Sequence, residues 1–119
     1  MSYDTIIRNG RWFDGTGAPS AVRTLGIRDG VVVAIANGDL DESDCPQVID
    51  ASGKTIVPGY IDAHAHANHF FSGVVPQANW AYYTNLAFGI TTMHDPSATT
   101  ETVFSEAELV KAGDMVGPR

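Results

Sequence analysis

Two histidines one residue apart, His64 and His66, end the stretch Val57-Pro58-Gly59-Tyr60-Ile61-Asp62-Ala63-His64-Ala65-His66, whose residue types suit a metal site. Along an extended strand side chains alternate, so Asp62, His64 and His66 share one side while Ala63 and Ala65 take the other. Two imidazoles about 7 Å apart along such a strand converge on one ion when their rotamers lean together. Imidazole nitrogen suits a divalent metal, zinc above all. A catalytic zinc generally takes three protein ligands and one open position, so more ligands must come from elsewhere. On spacing alone, two core histidines satisfied by ordinary hydrogen bonds compete with this reading. The surroundings favour the metal, because unpaired imidazoles in an uncharged, buried stretch would be costly. Asp62 then orients a histidine rather than binding the ion itself.

A second group of polar residues is His94-Asp95-Pro96. Asp95 either caps a following helix or orients a ligand, while for His94 a contact with substrate and an ordinary structural place stand equally open. His69 reads as a loop residue. Ser72 and Ser97 lack a G-x-S-x-G elbow, which argues against a serine nucleophile. Cys45 sits beside the acidic run Asp39-Leu40-Asp41-Glu42-Ser43-Asp44, where neighbouring carboxylates make a thiol a poor nucleophile. That run has partial calcium-loop spacing, but Asp44 stands where the sharp turn needs glycine, so it reads as a solvated loop. Gly15 and Gly17 give a G-x-G that no helix follows, which argues against a nucleotide loop.

The elements that carry these groups change period midway along the chain. The first half reads as short strands joined by tight turns. Asn9-Gly10 and Asp29-Gly30 supply the positive φ of two-residue hairpins, so a hairpin is expected at each. In the second half Thr55–Val57 and Gly59–Ile61 read as strands around Pro58. A helix is expected from Pro76 to Phe88, buried through Trp80, Tyr83, Leu86 and Ala87 and stopped by Gly89. Ile90–His94 is β-rich. Glu101–Ala112 is helical, with Val103, Ala107 and Val110 on one face and Gly113 as cap. Strand, helix, strand, helix implies parallel strands with crossover helices, an α/β fold.

Charge and length bound what remains. No Asp, Glu, Lys or Arg occurs between Asp62 and Asp95, a run of about 32 residues that is either a membrane span or buried in protein. Asn68, Gln77, Asn79, Asn85 and the histidines exclude the span, since unpaired polar groups at that density are costly in hydrocarbon. The formal charge of -7 repels a phosphate backbone, so nucleic acid is excluded as a partner. One cysteine and an opening without a basic or apolar signal region lead us to expect a cytoplasmic protein.

The run Asp50-Ala51-Ser52-Gly53-Lys54-Thr55-Ile56-Val57-Pro58-Gly59-Tyr60-Ile61-Asp62-Ala63-His64-Ala65-His66, after its N-terminal strands, resembles the start of the metal-dependent amidohydrolase superfamily. Residues 1–66 look most like N-acyl-D-amino-acid deacylases. The segments Pro76–Trp80 and Thr91–Ser97 look like another amidohydrolase branch, one found joined to propeller-like peptidase domains. The resemblance implies part of a small β-sandwich over residues 1–54. From 55 to 119 it implies the first two βα units of a TIM-type (β/α)8 barrel, truncated, since a full barrel needs about 250 residues. It gives His64 and His66 as ligands of a divalent metal, zinc foremost. It implies hydrolysis of non-peptide carbon–nitrogen bonds in a small-molecule amide by metal-activated water. The family's bridging ligand, two further histidines and catalytic aspartate have no matching positions here. The chain alone is therefore expected to be inactive, with the rest of the barrel or a second copy as partner. The alternatives are a non-catalytic metal-binding or structural fragment, or a same-fold hydrolase of cyclic amides or C–O bonds.

Overall fold

The computed structural model describes residues 2–67 and 74–119, so His69 and Ser72 lie outside the described residues. It divides into two compact units, Met1–Pro58 and Gly59–Arg119.

The first unit is one five-stranded sheet built from β1 (Thr5–Trp12), β2 (Ala21–Arg28), β3 (Val31–Ala36), β4 (Gln47–Asp50) and β5 (Thr55–Ile56). β1 is central, antiparallel to β2 and parallel to β4 and β5, and β3 forms the far edge beyond β2. Asp29 and Gly30 adopt φ of 51° and 73° and close the β2–β3 hairpin as expected. The second expected hairpin is absent. Asn9 has φ of 62°, yet the chain does not reverse there, because Ile7 pairs with Leu25 and Gly10 with Arg23 on the same partner strand. Three steps along β1 match two along β2, so the positive φ accommodates a bulge. Gly10 beside it has no alternative, since a Cβ there would lie 2.3 Å from Ile56 Cδ1.

β5 is also a finding against expectation. Thr55 and Ile56 pair with Arg11 and Trp12, so the segment expected to open the barrel belongs to the first sheet. The turn after β4 is held by Asp50, whose Oδ1 accepts from the Ser52 hydroxyl at 2.6 Å and amide at 2.9 Å. These bonds hold the Asp50 carboxyl below its ordinary pKa, as equivalent bonds from Thr16 and Ser43 do for Asp14 and Asp41. Within the acidic loop, Glu42 is drawn onto the sheet by Arg8, at 3.0 Å.

The second unit alternates as the sequence period predicts. β6 (Tyr60–Asp62) lies parallel to β7 (Ile90–Met93), with α1 (Trp80–Ala87) between them and α2 (Thr100–Ala112) after. Arg119 also pairs with β7, its amide donating to Thr91 O at 2.9 Å and its carbonyl accepting from Met93 N at 2.8 Å. That is the bonding of another parallel neighbour.

Both helices differ from expectation in register or burial. α1 begins only at Trp80, because Asn79 caps it by accepting from Ala81 N at 3.0 Å. Its buried residue is Tyr82, whereas Trp80 is 76% exposed and stacks edge-on with Tyr83. The uncharged run was expected to be deeply buried, but Ile61 is 71% and Phe88 76% exposed. Periodicity marks an apolar stripe without identifying what covers it. On α2 the buried face runs through Thr102 and Glu106, with Val103 and Val110 half-buried and Ala107 exposed. Gly113 ends α2 at φ of 84°, as expected. Among the described residues no helix is long and apolar enough to cross a membrane.

Candidate metal centre

β6 ends at Asp62, so neither His64 nor His66 lies within a regular strand. Backbone pairing nevertheless continues beyond it and positions both. His94 N donates to Asp62 O and Ala65 N to His94 O, each at 2.9 Å, which extends the parallel ladder past the strand end. Asp62 Oδ1 accepts from the His64 amide at 3.1 Å and bends the chain at that point. Asp62 thus accepts from a histidine's backbone amide, where a bond to a ring was expected.

The two rings come together at the exposed end of the sheet. Their centroids are 5.1 Å apart and their planes meet at 70°. Alternation along the chain therefore persists well enough to place both imidazoles on one side, although the regular strand has ended. Among the described residues no three His, Cys, Asp or Glu side chains are grouped so that they could hold a metal ion.

Asp95 is the residue behind them. Its Oδ1 lies 3.6 Å from His66 Nδ1, and the Asp95 side chain is 6% exposed against 61% for His66. Its oxygens accept from Ala67 N at 3.1 Å, Ser97 N at 2.9 Å and Ala98 N at 3.1 Å. Asp95 is not the N-cap of α2, which is Thr99. One buried carboxylate thus ties the loop after β6 to the loop after β7 and faces the inner nitrogen of His66. An N–H at Nδ1 suits that neighbour and leaves Nε2 bare, the form in which imidazole binds metal. His94 instead directs its Nδ1 at the Ala63 carbonyl, 3.4 Å away, so its ring is engaged with backbone.

Sequence reasoning passed over Tyr82 and Glu106. Glu106 is 0% exposed, and the Tyr82 hydroxyl donates to its Oε2 at 2.5 Å. Burial first, then Glu106, pushes the Tyr82 hydroxyl above its ordinary pKa. The available signal was the four-residue spacing of Thr102 and Glu106 on α2, which marks a common face.

No protein-family model matches the chain. An uncharacterized protein of Mycobacterium tuberculosis is 62% identical over 66 residues, 56% of this chain and 11% of that protein. Other relatives include a D-aminoacylase and an N-acyl-D-glutamate deacylase of Alcaligenes xylosoxydans xylosoxydans and an adenine deaminase of Listeria welshimeri. The chain spans only 11% to 14% of the length of these curated relatives. Among solved structures, the N-acyl-D-glutamate deacylase of Bordetella bronchiseptica, complexed with zinc and a phosphonate inhibitor, is 38% identical. It has a TM-score of 0.61 over 78% of this chain and 18% of that one. Molinate hydrolase shares the fold, with a TM-score of 0.82 over 98% of this chain and 29% of that one at 23% identity.

Proposed function

We propose that this chain, which resembles the amidohydrolase superfamily and its N-acyl-D-amino-acid deacylases, is the N-terminal part of a metal-dependent hydrolase of non-peptide carbon–nitrogen bonds. The observation that carries the reading is the pair of imidazoles 5.1 Å apart at the exposed end of a parallel sheet, with the buried Asp95 behind His66. Parallel α/β sheets bind ligands at that end of their strands.

The donor set fits a divalent ion. His64 and His66 would hold it through ring nitrogens, and zinc is the ion such nitrogens most commonly take. When bound, the ion supplies Lewis acidity that lowers the pKa of water and polarises a carbonyl. The chain's own residues prepare for this. Asp95 favours the His66 tautomer with Nε2 bare, Asp62 sets the bend that presents His64, and the His94 carbonyl fixes Ala65 between them. The remaining ligands and the proton-shuttling acid would come from later strands of a (β/α)8 barrel, whose first two repeats would be β6–α1 and β7–α2, with Arg119 at the position of a third strand. The substrate is a small-molecule amide, the rest of the barrel is the principal partner, and the compartment is the cytoplasm.

The adenine deaminase relative, matched over 76% of this chain, favours a second reading in which the bond hydrolysed belongs to a cyclic substrate. The test uses the longest polypeptide that the encoding frame supplies, loaded with zinc. Release of amino acid from N-acyl-D-amino acids supports the first reading. Turnover of cyclic substrates alone favours the second. A frame that stops at Arg119, with no turnover, leaves a non-catalytic metal-binding protein.

A further inference from the structure

We propose that Tyr82 is a positioning residue for the His66–Asp95 pair, held by Glu106 on α2 and by the backbone at Gly117. The inference rests on the metal reading of His64 and His66.

A carboxylate buried as fully as Glu106 costs several kcal/mol unless it is bonded, whereas an apolar side chain would join α1 to α2 by packing alone. What the carboxyl group adds is direction, because the short bond from the Tyr82 hydroxyl fixes the far end of that side chain. The ring is gripped as well. A Cβ at Gly117 would lie 2.5 Å from Tyr82 Cδ2, so the ring rests directly on the backbone there.

The third contact leads to the site. Tyr82 packs with Ala67 and Met115 in the buried cluster of the second unit. Ala67 follows His66 in the chain, and its amide donates to Asp95 Oδ2. Moving the ring therefore moves the residue that anchors Asp95 next to His66. The ring also has somewhere to go, since Tyr82 and Asp95 line one cavity of about 60 Å³ together with Met93 and Val110. That volume exceeds the space one water needs, so without a clamp the side chain could shift toward Asp95.

The test measures zinc affinity by competition with a chromophoric chelator and, in the zinc-free chain, the nitrogen-15 signals of the His66 ring. Tyr82→Phe removes the hydroxyl, Glu106→Gln keeps an acceptor of similar size, and Gly117→Ala displaces the ring without removing a hydrogen-bonding group. Thr102→Val is the control, because it removes the Thr99–Thr102 hydroxyl contact from the same buried helix face. Tyr82→Phe and Gly117→Ala are each expected to weaken zinc binding about tenfold or more, the scale seen when residues supporting metal ligands are lost. Both are expected to move the His66 ring signals away from the Nδ1–H tautomer, while Thr102→Val leaves affinity and signals as in wild type. Unchanged affinity and signals in both variants, or an equal loss in Thr102→Val, overturns the proposal. If Tyr82→Phe does not fold, Gly117→Ala decides it on the same readouts. His64→Ala is measured alongside. Wild-type affinity in that variant sinks the metal reading, whereas loss there with Tyr82→Phe unchanged sinks only the positioning role.

Discussion

Asp95 shows how much one buried side chain does at this site. Its oxygens serve three backbone amides from two loops and also face His66. Asp95→Asn keeps one acceptor oxygen, enough for the Ser97 and Ala98 amides, but loses the bond from Ala67 N and the charge facing the imidazole. We expect zinc affinity to fall roughly 10- to 100-fold while the helices and strands are retained, read by chelator competition and circular dichroism. An unchanged affinity would mean that Asp95 only closes the loop. That the His64 and His66 rings lie side by side was legible in the sequence, because alternation needs no long-range information. The engagement of His94 with Ala63, and of Asp62 with an amide rather than a ring, was not legible, since each depends on where the loop bends. Tyr82 gives a pH-dependent test. Its hydroxyl is held above the ordinary pKa, so the folded chain keeps a proton that the unfolded chain releases. Its contribution to stability is full below the unfolded tyrosine pKa of about 10 and is lost as pH rises beyond it. Denaturant melts from pH 9 to 11 should therefore show stability falling with pH in wild type and falling less steeply in Tyr82→Phe.

At the scale of elements, glycine placement separates turns from close approaches. Gly10 sits against Ile56 at the bulge of β1, whereas nothing lies within 4 Å of a Cβ at Gly38. Gly10→Ala should cost about 1–3 kcal/mol, the usual scale of overpacking, and Gly38→Ala should be close to neutral, both measured by urea unfolding. Equal effects would contradict the packing at β1. The dipeptides Asn9-Gly10 and Asp29-Gly30 looked alike, and both residues preceding glycine adopt positive φ. Only the second reverses the chain. The difference lies in the pairing of β1 with β2 on both sides of Asn9, which no local signal carries. The inward face of α1 lies elsewhere than its stripe suggests, and that of α2 is shared between the half-buried Val103 and Val110 and the buried Thr102 and Glu106, for a related reason. Their stripes are apolar on more than one side, and the decisive contact, Tyr82 with Glu106, joins residues 24 positions apart.

For the whole molecule, alternating strands and helices made the α/β class readable, because parallel pairing follows from crossover connections. What the sequence could not reveal is how much apolar surface stays uncovered within each unit. β3 lies at the edge of its sheet, carries neither charge nor proline, and exposes Val31, Val33 and Ile35. The second unit exposes Ile61, Trp80, Phe88 and Phe104. Unguarded edges and apolar patches of this kind promote association. Sedimentation velocity of the 119-residue chain should show species larger than its 12.7 kDa monomer. A monodisperse monomer with a cooperative melt would argue against the account of uncovered faces. With only the two proposed histidine ligands where catalytic zinc generally takes three, the same chain should show no turnover of N-acyl-amino acids. The most direct test of the central claim is an equilibrium zinc titration of the wild-type chain beside His64→Ala and His66→Ala. We predict measurable binding by wild type and its loss in both variants, whereas wild-type affinity in either one would return these residues to ordinary histidines at a strand end.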